Sequence, residues 1–181
     1  MQITRFERGL HDRVAIVTGA AVGNGRAFCE RLTEEGAKLV IADMESATET
    51  EAAIRAIGGE VVSVRADMTN PTEVEKVVRT AIETFGQIDI LVHNVGYYYE
   101  EPFELVQFDE WKKTLNITLD SLFHTVKAVL PHMKKAGFGR IITFSSDTVW
   151  LGTPYLVHYV TAKMGVIGFT RSLAAEVGQY G

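Results

Sequence analysis

Short runs rich in Val and Ile recur along the chain, at Val14–Val17, Leu39–Ala42, Val61–Val64, Ile88–Val92 and Arg140–Phe144. They are predominantly apolar rather than strictly alternating, as a strand buried on both faces requires, and each predicts a β-strand. Between them, apolar positions recur at helical spacing over Gly25–Glu35, Ser46–Ile57, Thr72–Phe85 and Asp109–Lys135, and a last helix is expected over Pro154–Val177. Gly36, Gly58-Gly59, Gly86, Gly137 and Gly178 close these segments. Strict alternation of strand and helix implies an α/β fold with a doubly wound parallel sheet of the Rossmann type, because parallel neighbours need helical crossovers. No repeat, low-complexity tract or linker breaks the pattern, and 181 residues imply one domain, residues 1–181.

Composition narrows the function. With 46% hydrophobic and 23% charged residues, the chain can bury a core and disorder is excluded. A net charge of −5 offers no basic footprint, so neither nucleic acid nor an anionic membrane is an expected partner. No apolar run reaches the roughly 18 residues of a membrane span, and Met1–Arg13 is too charged for a signal peptide. A soluble cytoplasmic protein is expected. The single cysteine, Cys29, sits beside Phe28 and Leu32 and reads as a small buried hydrophobe. His11, His93, His124, His132 and His158 are scattered without metal-ligand spacing, so no metal is expected.

Candidate chemistry begins directly after the first strand, where Thr18-Gly19-Ala20-Ala21-Val22-Gly23-Asn24-Gly25 leads into a helical pattern. Glycines there let the backbone approach a diphosphate, which rests on the free N–H groups of the helix start. Asp43, which ends the second strand, stands where an acid accepts hydrogen bonds from the adenosine ribose and repels a 2′-phosphate. No Arg or Lys occupies Ala20–Asn24 to compensate such a phosphate, so NAD is the expected cofactor rather than NADP. The competing reading makes Asp43 a helix N-cap. Further along, Tyr159 and Lys163 are four residues apart and share one helix face. About 0.3 such pairs arise by chance in a chain of this composition, so the pair alone decides little.

The spacing of Gly19, Gly23 and Gly25 resembles the Thr-Gly-x-x-x-Gly-x-Gly motif of the short-chain dehydrogenase/reductase family, with Asn24 in place of the usual Ile. The resemblance runs from Val14 to the end of the chain. It implies a nicotinamide dinucleotide held by Gly19, Gly23, Asn24, Gly25 and Asp43, with Asp67 and the Met68 main chain at the adenine. The family's Asn-Asn-Ala-Gly is matched by His93-Asn94-Val95-Gly96, which keeps Asn94 and Gly96. It further implies catalysis by Asn116, Ser146, Tyr159 and Lys163, with Tyr159 and Lys163 also meeting the nicotinamide ribose. Requiring Ser146 thirteen residues before Tyr159 lowers the chance expectation to about 0.01. Asn116 is a poor helix former inside Asp109–Lys135, so a non-regular turn there would be meaningful.

Removing hydride from a secondary alcohol needs a base for its hydroxyl proton, and reduction needs the same group as an acid. A free phenol with pKa about 10 is too weak a base at neutral pH, and lowering it about 3 units takes roughly 4 kcal/mol. One cation about 4 Å away at an effective dielectric near 20 gives about that much, which is the task of Lys163. Ser146 would hydrogen-bond the substrate oxygen. His158 points to another helix face and reads as structural.

Tyr97, Tyr98, Tyr99 and Trp150 suggest an apolar or aromatic secondary alcohol or ketone, and Trp150–Tyr159 is similar to aryl alcohol dehydrogenases; packing or lid roles are the competing reading. The alternative function is a non-catalytic nucleotide-binding subunit or sensor, against which the intact Asn116, Ser146, Tyr159 and Lys163 set argues. The resemblance also implies a homo-oligomer, a tetramer in the family. Family members continue past the last helix with further strands, so this chain is expected to be an N-terminal part lacking the C-terminal strands, with the edge of Arg140–Phe144 left open.

Overall fold

A computed structural model describes residues 9–181; most of the charged start lies outside the described residues. Five parallel strands, β1 (Val14–Thr18), β2 (Lys38–Asp43), β3 (Val61–Arg65), β4 (Ile90–His93) and β5 (Arg140–Thr143), form one sheet in the order β3-β2-β1-β4-β5. The helices are α1 (Gly23–Glu34), α2 (Thr48–Ala56), α3 (Pro71–Phe85), α4 (Phe108–Leu115), α5 (Ser121–Ala136), α6 (Thr148–Leu151) and α7 (Val157–Val177). This is the doubly wound Rossmann-type arrangement that the alternation predicts.

Period-two alternation divides the strands between two cores. On one face Ile16, Val40 and Leu91 pack with Val74, Val78, Leu122, Val126 and Val166 from α3, α5 and α7. On the other, Ala15, Val17, Leu39 and Ile41 pack with Cys29 of α1 and Ile54 of α2. Cys29 is fully buried, and burial pushes its thiol up to about 12, as a packing role requires. Among the described residues β5 pairs with β4 alone, and Ile142 on it is 43% exposed. No helix of the described residues is long and apolar enough to cross a membrane.

Several elements differ from expectation. The helix expected over Asp109–Lys135 is broken after Leu115 by a π-helical turn, Asn116–Asp120, before α5 resumes the α pattern. The last helix begins at Val157 rather than Pro154, because Tyr155 takes φ +67 and Leu156, at φ −123 and ψ 24, also lies outside the helical region. The first helix begins at Gly23, two residues early, and α6 is a single short turn that the apolar pattern does not mark. Crossing from edge strand β3 to β4 reverses the winding, so a crevice opens between the carboxyl ends of β1 and β4, where such sheets bind ligands.

Candidate active site

The turn after β1 is built to leave backbone donors free. Val22 caps α1 with an extended backbone and no side-chain hydrogen bond, so the first N–H groups of the helix keep no side-chain partner. Gly25 lies under Gly19 so closely that a Cβ there would stand 1.9 Å from the Gly19 carbonyl oxygen. A free helix start reached by a turn with no room for a side chain at Gly25 fits a diphosphate. Asn94 braces the turn from β4: its Nδ2 donates to the Gly19 carbonyl at 3.0 Å and its N–H to Thr18 Oγ1 at 3.2 Å.

Asp43 accepts the Ala21 N–H at 2.9 Å on one carboxylate oxygen and the Glu45 N–H at 3.0 Å on the other. The residue capping α2 is Ala47, so the N-cap reading of Asp43 does not hold. Each oxygen retains a lone pair for a ribose hydroxyl. Asp67 closes a local turn, its Oδ1 accepting from Thr69 N–H and Thr69 Oγ1, both at 2.8 Å. The Met68 side chain is buried in the core, so any ligand contact at that position falls to its main chain. Asn24 and Gly23 are exposed beside the turn.

On α7, Tyr159 and Lys163 do share one face, with Lys163 Nζ 5.8 Å from the Tyr159 ring centre. Nζ donates to the Phe144 carbonyl at 2.8 Å, and burial lowers the ammonium's pKa from its ordinary value. Gly96 makes room for that ammonium, since a Cβ there would come within 3.2 Å of Nζ. Ser145 Oγ donates to the Lys163 carbonyl at 3.0 Å, fixing α7 against the end of β5. Ser146 Oγ accepts from Thr148 Oγ1 at 2.8 Å. Tyr98 meets the Tyr159 ring edge-on at 5.2 Å. Among the described residues, no hydrogen bond joins the Ser146, Tyr159 and Lys163 side chains to one another, so none spends its reacting atom on another. Asn116 opens the π turn, and its carbonyl accepts the Ser121 N–H, the wide i to i+5 closure of that turn.

Sequence reasoning singles out His93 only as a departure from the family's Asn. In the fold it is 3% exposed and contacts Thr18 Oγ1 at 3.4 Å and Ser121 Oγ at 3.1 Å. Ser121 and Thr118, which accepts the Tyr97 N–H at 3.1 Å, were not singled out; their only signal is a hydroxyl at a buried helix position. His158 is structural as expected: fully buried, it donates from Nε2 to the Tyr99 carbonyl at 2.8 Å.

The family model for short chain dehydrogenases matches residues 13–181. The D-beta-hydroxybutyrate dehydrogenase of Rhizobium meliloti (strain 1021) is 35% identical over 173 residues, covering 93% of this chain and 67% of that enzyme. The 3-oxoacyl-[acyl-carrier-protein] reductase of Synechocystis sp. is also 35% identical, over 93% of this chain and 70% of that reductase. The crystal structure of an NAD+-bound xylitol dehydrogenase superposes with a TM-score of 0.92 at 31% identity, over 95% of this chain and 67% of the other. This chain belongs to the short-chain dehydrogenase/reductase family and is an oxidoreductase.

Proposed function

We propose that the chain transfers hydride between NAD(H) and a small apolar secondary alcohol or ketone. The observation that carries this reading is the meeting, at one crevice, of the glycine turn Gly19–Gly25, whose Gly25 packs on the Gly19 carbonyl, with the Tyr159–Lys163 face of α7. Gly19, Gly23, Asn24 and Gly25 would hold the diphosphate, Asp43 the adenosine ribose, Asp67 and Met68 the adenine, and Asn94, Gly96, Tyr159 and Lys163 the nicotinamide end. When bound, the dinucleotide supplies the hydride acceptor or donor.

The chain's own residues do the rest. Tyr159 exchanges the proton of the substrate hydroxyl, and Lys163 presents a positive charge toward the phenol from a site fixed by the Phe144 carbonyl. Ser146, which accepts the Thr148 hydroxyl, would turn its own hydroxyl from Asp147 Oδ1, 3.3 Å away, to the substrate oxygen as charge develops. The Asn116 carbonyl, which opens the π turn, would hold a water that links Lys163 to solvent. The apolar substrate class is supported by Tyr98 against Tyr159 and by exposed Trp150 and Tyr155 in the segment between Ser146 and Tyr159. The same reading takes the enzyme to be cytoplasmic and homo-oligomeric.

Turnover of a panel of alcohols and ketones, followed by NADH absorbance, tests the reaction. Tyr159→Phe should cut kcat at least about a hundredfold while NAD binding, measured by calorimetry, stays within about twofold. A Tyr159→Phe variant that kept its turnover would remove the assigned proton donor.

A further inference from the structure

His93 sits at the carboxyl end of β4 between two hydroxyls that belong to different parts of the site. Thr18 ends β1, where the cofactor turn starts, and Ser121 starts α5, where the π turn closes. The protons of this chain of groups can be assigned from the donors available. Ser121 has one hydroxyl proton, and it goes to the Ile117 carbonyl at 2.6 Å. Ser121 Oγ can therefore only accept from His93, which puts the imidazole proton on Nε2. Nδ1 is then a lone pair, and it accepts the Thr18 hydroxyl proton, while Thr18 Oγ1 itself accepts the Asn94 N–H at 3.2 Å. An imidazolium would put a second N–H against Thr18 and strand the Thr18 proton, so the array holds a neutral ring in one tautomer. Ser121 passes the constraint on, because its main-chain N–H is the donor to the Asn116 carbonyl.

We propose that His93, held as the neutral Nε2–H tautomer, is a positioning residue that ties the cofactor turn to the π turn and so sets the Asn116 carbonyl relative to the bound dinucleotide. Its effect on turnover rests on the oxidoreductase reading; the tautomer and the bridge do not. Burial and the nearby Lys163 charge disfavour the protonated ring in the same sense as the hydrogen bonds. An Asn at this position reaches only as far as Nδ1 does, so it would serve Thr18 and leave Ser121 unserved.

The first measurement is 15N NMR of the histidine rings of the full chain, with His93 assigned from the His93→Leu variant. His93 should show a protonated Nε2 and a bare Nδ1, unchanged from about pH 5 to about pH 9, the span over which an ordinary histidine changes charge. A proton on Nδ1, or a titration within that span, overturns the proposal whether or not the protein turns over any alcohol. The second is a double-mutant cycle on kcat with the NAD-loaded enzyme. His93→Leu and Ser121→Ala should each lower kcat about tenfold, with KM for NAD within about twofold, and the double variant should be no slower than His93→Leu alone. Additive losses, or a lowered melting temperature with kcat per folded molecule unchanged, would show a merely structural histidine.

Discussion

At the scale of single residues, charge placement decides what the site accepts. Asp43 holds two main-chain N–H groups and so braces the turn, and under the proposed function its remaining lone pairs would meet the adenosine ribose and screen the cofactor. Asp43→Ala should narrow the preference for NAD over NADP by at least about tenfold in kcat/KM, since an anion opposing the 2′-phosphate disappears. An unchanged ratio would assign the residue to bracing alone. His93 adds a pH dependence of stability. Burial, followed by the charge of Lys163, brings its imidazole down to about 3, whereas the unfolded ring titrates near 6.5. Its folded value is depressed, so between these limits the unfolded chain binds the extra proton. The stability it confers is complete above about pH 6.5 and falls as pH drops toward 3, by at most about 1.4 kcal/mol per unit. Urea midpoints at a series of pH values should show a flatter acid limb for His93→Leu than for the parent; superposable limbs would contradict the buried neutral ring.

At the scale of elements, the turn from β1 to α1 is governed by space. Gly25→Ala would drive its Cβ into the Gly19 carbonyl, 1.9 Å away, so the turn must open, and the NAD dissociation constant should rise at least about tenfold. Gly23 is the contrast: its φ is +58 and nothing lies within 4 Å of a Cβ, so Gly23→Ala should cost only about 1–2 kcal/mol of backbone strain. Calorimetric titration of both variants with NAD separates collision from strain, and equal losses would refute the distinction. This turn was legible in the sequence because glycine spacing records where backbone meets backbone. Tyr159 and Lys163 were legible for a similar reason, since a helix turns i and i+4 onto one face. The break at Asn116 was marked by a poor helix former, yet the π turn itself was not readable, because the apolar residues Leu115, Leu119 and Leu122 keep helical spacing straight through it. The roles of Ser121 and Thr118 were invisible for a different reason. A hydroxyl facing a buried histidine or a loop N–H across the sheet follows from register, which no local pattern encodes.

At the scale of the whole molecule, the two ends of the sheet do different work. Every residue assigned to the reaction lies at or beyond the carboxyl ends of the strands or on the face of α7 that meets them, while the amino ends are fastened by one carboxylate. Asp89, 4% exposed, accepts Arg13 Nη1 and the Val14 N–H at 2.8 Å and Gln87 Nε2 at 2.7 Å, and its main-chain carbonyl takes the Arg140 N–H at 2.9 Å. It therefore joins β1, β4 and β5 at the end remote from the cofactor turn, and the Arg13 guanidinium continues the contact 3.9 Å above the Phe138 ring. Removing the charge leaves a buried main-chain donor and a guanidinium without their acceptor, at a cost of about 2–4 kcal/mol for Asp89→Ala and less for Asp89→Asn, which keeps one oxygen. Because the strands themselves transmit little of this to their far ends while the sheet stays folded, kcat per folded molecule should stay within about twofold of the parent in both variants. Urea unfolding read alongside turnover checks this. If Asp89→Asn lost activity in step with Tyr159→Phe while its unfolding midpoint stayed put, the division of the sheet into a fastening end and a reacting end would be wrong.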